Sequence, residues 1–137
     1  MNPSAPDKSL PQIRPETAGF WQAARAGRLV YQQCAACGQR QLFPRLLCHR
    51  CLATDLRWAE ASGRGRVISH TTIHQAAHPA FAAEVPYLYA LVELDEGPRV
   101  LTNLVQVDPE EVRIGMAVKV RFTRASDEIA LPHFEPV

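Results

Sequence analysis

Apolar and polar positions change rhythm along this chain, and each change marks an element. Within residues 15–27, Phe20, Ala23, Ala24 and Gly27 recur at helical spacing with Trp21 flanking them. A proline and an acidic residue open that stretch and a glycine closes it, so a helix is predicted there. Two large aromatics on so short an amphipathic helix require a surface to pack on. The rhythm then shortens to alternation in residues 28–33, 40–44 and 55–60, three brief strands set around two cysteine pairs. Residues 61–66 (ASGRGR), with two glycines and two arginines, read as a seam.

Beyond the seam, alternation predicts five strands, at 66–75, 87–94, 99–107, 117–123 and 128–134. In the second, Leu88, Ala90, Val92 and Leu94 take one face and Tyr87, Tyr89, Leu91 and Glu93 the other. In the fourth, Val118, Val120 and Phe122 alternate with Lys119, Arg121 and Thr123. Asp95-Glu96-Gly97-Pro98 is a hairpin turn, and Asp108-Pro109 with Ile114-Gly115 bends the chain before the fourth strand. Five short strands with one longer link are compatible with a small Greek-key barrel of the OB type. The organisation is therefore read as mainly β: a flexible arm over 1–14, the helix over 15–27, a zinc ribbon over 28–60 and a five-stranded OB-fold barrel over 61–137. Three prolines among small polar residues are the reason for expecting no core in the arm.

Cys34-Ala-Ala-Cys37-Gly38 and Cys48-His-Arg-Cys51 form two C-x-x-C knuckles separated by ten residues. Each knuckle can turn two thiolates toward one ion, and two knuckles joined by a hairpin complete a closed tetrahedral sulfur site. Such soft coordination suits zinc, with iron compatible in the same geometry. A closed site leaves no coordination position for a metal-bound water, so the expected metal is structural. His49 lies inside the second knuckle, but four cysteines already fill the site, and it is read as exposed.

Composition narrows the remaining choices. Fifteen basic residues against fourteen acidic ones give a net charge of +1, no strong field for nucleic acid or an anionic membrane. No apolar run approaches the roughly 18 residues that cross a bilayer, and no basic-then-apolar leader opens the sequence. A cytoplasmic chain is the expectation, with its thiols reduced and free to bind metal.

Other candidate chemistry is weaker. His70, His74 and His78 recur every four residues, but the β-branched stretch around them and Pro79 favour a strand running into a loop. Glu93, Asp95 and Glu96 read as solvated turn carboxylates. There is no phosphate loop, no nucleophile elbow and no fifth cysteine. A zinc ribbon beside a barrel raises single-stranded nucleic-acid binding as the alternative, carried by Tyr87, Tyr89 and nearby arginines. Aromatics are only 7% of the chain and several sit at core positions, which disfavours it. Arg45, Arg50, Arg57, Arg64 and Arg66 gather around the ribbon and the seam, where they could meet a phosphate-bearing carrier.

These features occur in the order seen in one family. Phe20-Trp21, Gly27-Arg28-Leu29, the Cys34/Cys37 pair with Gly38, Phe43-Pro44-Arg45, the Cys48/Cys51 pair, Ser62-Gly63-Arg64-Gly65, Pro86-Tyr87, Leu94-Asp95-Glu96-Gly97 and Ile114-Gly115-Met116-Ala117-Val118 resemble the acyl-CoA-associated zinc-ribbon OB-fold family, long labelled a domain of unknown function. The resemblance runs from about residue 15 nearly to the end. It implies a rubredoxin-like ribbon and a non-catalytic partner of thiolase-fold enzymes (thiolases, acyltransferases, aldolases) that helps bind or channel acyl-CoA. No family catalytic residue carries over. Arg45, Arg64 and Arg66 are the expected phosphate contacts; partner identity and oligomeric state, a homo-oligomer included, stay open.

Overall fold

The computed structural model describes residues 8–137, and residues 1–7 of the expected arm lie outside the described part. Helix α1 spans Ala18–Arg25 and buries Phe20, Trp21, Ala23 and Ala24, the stripe expected from its spacing together with Trp21. It is shorter than the predicted 15–27. At its start the Ala18 amide donates to the Arg14 carbonyl and the Thr17 side chain binds the Arg14 backbone, so residues 15–17 form a turn. At its end the Gly27 and Arg28 amides return to the carbonyls of Ala24 and Ala23, closing the last turn in a Schellman pattern.

The ribbon is a three-stranded antiparallel sheet in the order β2-β1-β3, from β1 (Val30–Cys34), β2 (Arg40–Gln41) and β3 (Leu56–Glu60). Strand β2 is two residues rather than the expected five, because the chain from Phe43 leaves the sheet for a loop tied down by side chains. Trp58 of β3 lies over α1, where a Cβ on Gly19 would stand 2.8 Å from the indole; only glycine leaves room for that ring.

The second unit is a closed barrel in the order β4-β5-β6-β8-β7. Its strands are β4 (Arg64–Ile73), β5 (Tyr87–Leu94), β6 (Arg99–Leu104), β7 (Ala117–Arg124) and β8 (Ala130–Pro136). All are antiparallel neighbours except β6 and β8, which meet in parallel at Leu104 and Phe134. The inward set predicted for β5 is the buried set, as is Val118 of β7. Val67, Val92, Val118 and Phe134 are fully buried at the centre. A bulge between Val67 and Ser69 lets β4 curl and pair with β5 on one side and β7 on the other, which closes the barrel and leaves no free edge. Gly65 permits this, since a Cβ there would collide with the Glu93 carbonyl and Val92.

One hydrophobic cluster runs from Phe20 and Trp21 through Leu29, Tyr31 and Leu42 to the barrel interior. Near the start of the described chain, Lys8 pairs with Glu84 and stands over the Phe81 ring.

Candidate metal centre and seam cleft

The four cysteine sulfurs lie within 4.8 Å of one another. Cys34 to Cys51 and Cys37 to Cys48 measure 3.6 Å each. A tetrahedral ion at the usual zinc–sulfur distance requires edges of about 3.8 Å, close to these two, so the cluster is of a size to hold zinc. Cys34 ends β1 and Cys48 follows the loop; both are buried, while Cys37 and Cys51 sit outside them. Each knuckle closes through a backbone bond, Gly38 to Cys34 and Leu52 to Cys48, both 2.9 Å.

Electrostatics around the sulfurs follow from the same turns. The amides of Cys37 and Ala36 hold the Cys34 thiol below its ordinary value. The amides of Cys51 and Arg50 draw Cys48 down to about 6. For Cys51 the Ala53 amide also pulls downward, but burial and the three neighbouring sulfurs outweigh it and push the group up to about 12. Without a cation the cluster resists carrying four negative charges; a dication removes that penalty. Such an ion has four sulfur ligands and supplies fold stabilisation, not a reactive water.

The sequence reading missed what fixes the loop between the pairs. Gln32 and Gln41 alternate as ordinary strand residues, yet both are buried. The Gln41 amide donates to Gln32 Oε1 at 2.8 Å, and Gln32 exchanges two further bonds with the Arg45 backbone at 2.9 and 3.0 Å. Gln41 Oε1 accepts from the His49 backbone amide at 3.0 Å and lies 2.8 Å from its Nδ1. His49 is exposed, as expected, and its Nδ1 is engaged with glutamine instead of metal. The signal was two neutral amides at positions where a ribbon strand should bury apolar groups.

So anchored, the loop and second knuckle present Phe43, Leu46, Leu47 and Leu52 to solvent, with 71%, 70%, 42% and 68% of their surface exposed. Beside them, two adjoining hollows of about 300 and 360 Å³ run along the seam between the ribbon and the β5–β6 hairpin. Arg40 and Gly97 line both; Arg50 and Glu96 line the first, Phe43, Arg45, His49 and Arg99 the second. Arg45 therefore stands in this cleft, whereas Arg64 and Arg66 lie on β4 opposite Lys119 and Ala117, with Arg66 donating to the Gly115 carbonyl. Neither of those two lines the cleft.

Glu96 departs from its reading as a solvated turn carboxylate. One oxygen accepts the Ser62 amide at 2.8 Å, the other is buried without a partner, and the Glu96 carbonyl accepts Arg40 Nη1 at 2.9 Å. Glu93 instead pairs with Arg99 at 3.1 Å. Among the histidines, His70 lies on β4 and His78 accepts the Ala80 amide to cap a short turn, so the strand-into-loop reading holds. The four cysteines are the only metal-binding group among the described residues. No described helix is long and apolar enough to cross a membrane.

Residues 21–57 match the family model described as the ChsH2 rubredoxin-like zinc ribbon domain, and residues 58–123 the ChsH2 C-terminal OB-fold domain. A DUF35 domain-containing scaffold protein of Methanocaldococcus jannaschii is 33% identical over 101 residues, 73% of this chain and 71% of that protein. The chain belongs to the ChsH2/DUF35 family. The solved structure of an Ltp2-ChsH2(DUF35) aldolase superposes with a TM-score of 0.81 at 42% identity, over 93% of this chain and 98% of the other. A probable enoyl-CoA hydratase alpha subunit of Thermomonospora curvata is 43% identical over 126 residues. The match takes in 92% of this chain but only 39% of that relative, so the chain spans about two fifths of the hydratase subunit's length. Zinc is thus the metal of a rubredoxin-like ribbon, in agreement with the sulfur geometry.

Proposed function

We propose that this chain is a non-catalytic accessory subunit that docks on a thiolase-fold enzyme and helps hold its acyl-CoA, while the partner performs the chemistry. The observation that carries the reading is the apolar surface of the second knuckle and the loop that leads to it. Phe43, Leu46 and Leu52 are each about 70% exposed in a segment that buried glutamines and a four-sulfur site hold rigid. Ordering exposed leucines in this way gains nothing for an isolated chain, but it supplies a preorganised anchor for a partner. Arg45 and Arg50 interleave with them, the arginine-plus-apolar composition of interface hot spots.

The relatives support the same reading: scaffold proteins, a DUF35 chain in an aldolase assembly, and subunits of CoA-ester hydratases. Of the expected phosphate contacts, Arg45 is the best placed; Arg64 and Arg66 would serve only a ligand that also reached the outside of β4. The nucleic-acid alternative gains little, because Tyr89 and Leu101 share the outward face of β5 and β6 with Arg99, whose charge is already paired with Glu93.

Co-expression with a thiolase-fold subunit tests the proposal. A stable complex on size-exclusion light scattering, lost in Leu46→Asp/Leu52→Asp although zinc content is unchanged, is the expected result. Turnover by the isolated chain, or salt-dependent binding to single strands with no affinity for the enzyme, would overturn it.

A further inference from the structure

The four cysteines of the metal centre are not equivalent. Cys34 and Cys48 are buried, while Cys37 and Cys51 are exposed. Each exposed sulfur stands against a buried one of the other knuckle, Cys37 against Cys48 and Cys51 against Cys34, at 3.6 Å in both cases. The exposed pair differ in turn. Cys37 lines the first seam hollow, whose volume of about 300 Å³ lets a small solute reach its side chain; Cys51 lines neither hollow. With zinc bound, four thiolates around one dication leave the centre negative, and Arg40 and Arg50 share the hollow with Cys37. Arg40 is held on the Glu96 carbonyl, whereas the Arg50 side chain makes no ion pair or hydrogen bond among the described residues; only its backbone amide is engaged, on Cys48 Sγ at 3.4 Å.

We propose that Cys37 is a site of reversible oxidation by a hydroperoxide, and that its oxidised sulfur closes onto Cys48 in a disulfide that joins the two knuckles and releases the zinc. A metal-bound cysteine is already a thiolate, so exposure decides which sulfur a reagent meets first. Cys37 Sγ attacks one oxygen of hydrogen peroxide, the O–O bond breaks and hydroxide leaves, giving a sulfenic acid. The guanidinium groups of the hollow are donors for the oxygen on which that charge develops. Buried Cys48, 3.6 Å away, then attacks the sulfenic sulfur; the S–S bond forms and a second hydroxide leaves. Two thiolates have lost two electrons, and the peroxide has become two hydroxides, which solvent protonates to water. Zinc is left with Cys34 and Cys51, half of its ligand set, and passes to solvent. A thiol reductant reopens the disulfide by exchange and the ion can return. Zinc occupancy, and with it the order of the ribbon, thus follows the redox state of the surroundings. The proposal does not depend on the accessory-subunit reading, and either can fail without the other.

The test treats the full zinc-loaded chain with hydrogen peroxide and follows released zinc with a chromogenic chelator, against the same chain without peroxide. About one equivalent of peroxide should release the metal. Dimedone added early should label Cys37, and mass mapping of the end product should find Cys37 linked to Cys48, with Cys34 and Cys51 still open to alkylation. Dithiothreitol with zinc should restore the starting metal content. Arg50→Ala keeps the knuckle amides, so it should bind zinc as before and release it roughly threefold more slowly or less readily still; an unchanged rate would take the hollow out of the reaction and the choice of Cys37 with it. A first dimedone adduct on Cys51, disulfides confined to one knuckle, or zinc retained in a large excess of peroxide would each overturn the proposal.

Discussion

At the scale of single residues, the least conspicuous side chains carry the site's geometry. Gln32 and Gln41 satisfy each other and part-buried backbone groups of Arg45, Leu47 and His49. Removing one amide takes the partner from several of these, at about 1 kcal/mol per bond lost. Gln41→Ala is therefore expected to lower thermal stability measurably and to raise hydrogen exchange at residues 45–49 with zinc still bound. Unchanged exchange there would show that the metal alone orders the loop. His133 is a second case. Burial between strands lowers its pKa, with Glu84 opposing and Lys8 assisting. The unfolded chain then takes up the proton first, near the ordinary value of about 6.5, while the folded chain takes it up only at lower pH. Stability is full above that point and declines as pH falls toward the folded pKa. Urea titrations from pH 7.5 to 5 should show that slope, and His133→Gln should flatten it.

Among elements, legibility followed the strength of the repeating pattern. The alternation in β5 and β7 placed their inward residues because each strand has one buried and one wet face, and the paired cysteines announced the knuckles because few other arrangements need that spacing. Strand β2 was read too long, since Leu42 and Phe43 continue an apolar run that the backbone leaves in order to reach Gln32. The cleft could not be read at all. Arg40, Arg50 and Arg99 come from β2, the second knuckle and β6, and only the hairpin tip at Glu96 brings them to one seam. Arg64 and Arg66 looked equally suitable in the sequence because proximity along the chain says nothing about which side of β4 faces the ribbon.

For the whole molecule, the question is how far the metal's influence extends. The barrel closes on itself through β4 and β7, and its interior is filled by apolar side chains, so its pairing does not depend on zinc. The ribbon sheet, with strands of five, two and five residues, is too small to bury a sufficient core and needs its clip. Between them stand the shared cluster around α1 and the Arg40–Glu96–Ser62 contacts. Chelation should accordingly release residues 34–53 to fast hydrogen exchange and loosen the β5–β6 hairpin tip, while β4, β7 and β8 keep their protection. Enzyme binding should disappear in step with the ribbon, because its apolar anchor is ordered only there. Simultaneous loss of protection across the barrel would mean that zinc supports one cooperative unit, and the ribbon would then be part of the core instead of a rigid attachment built for a partner.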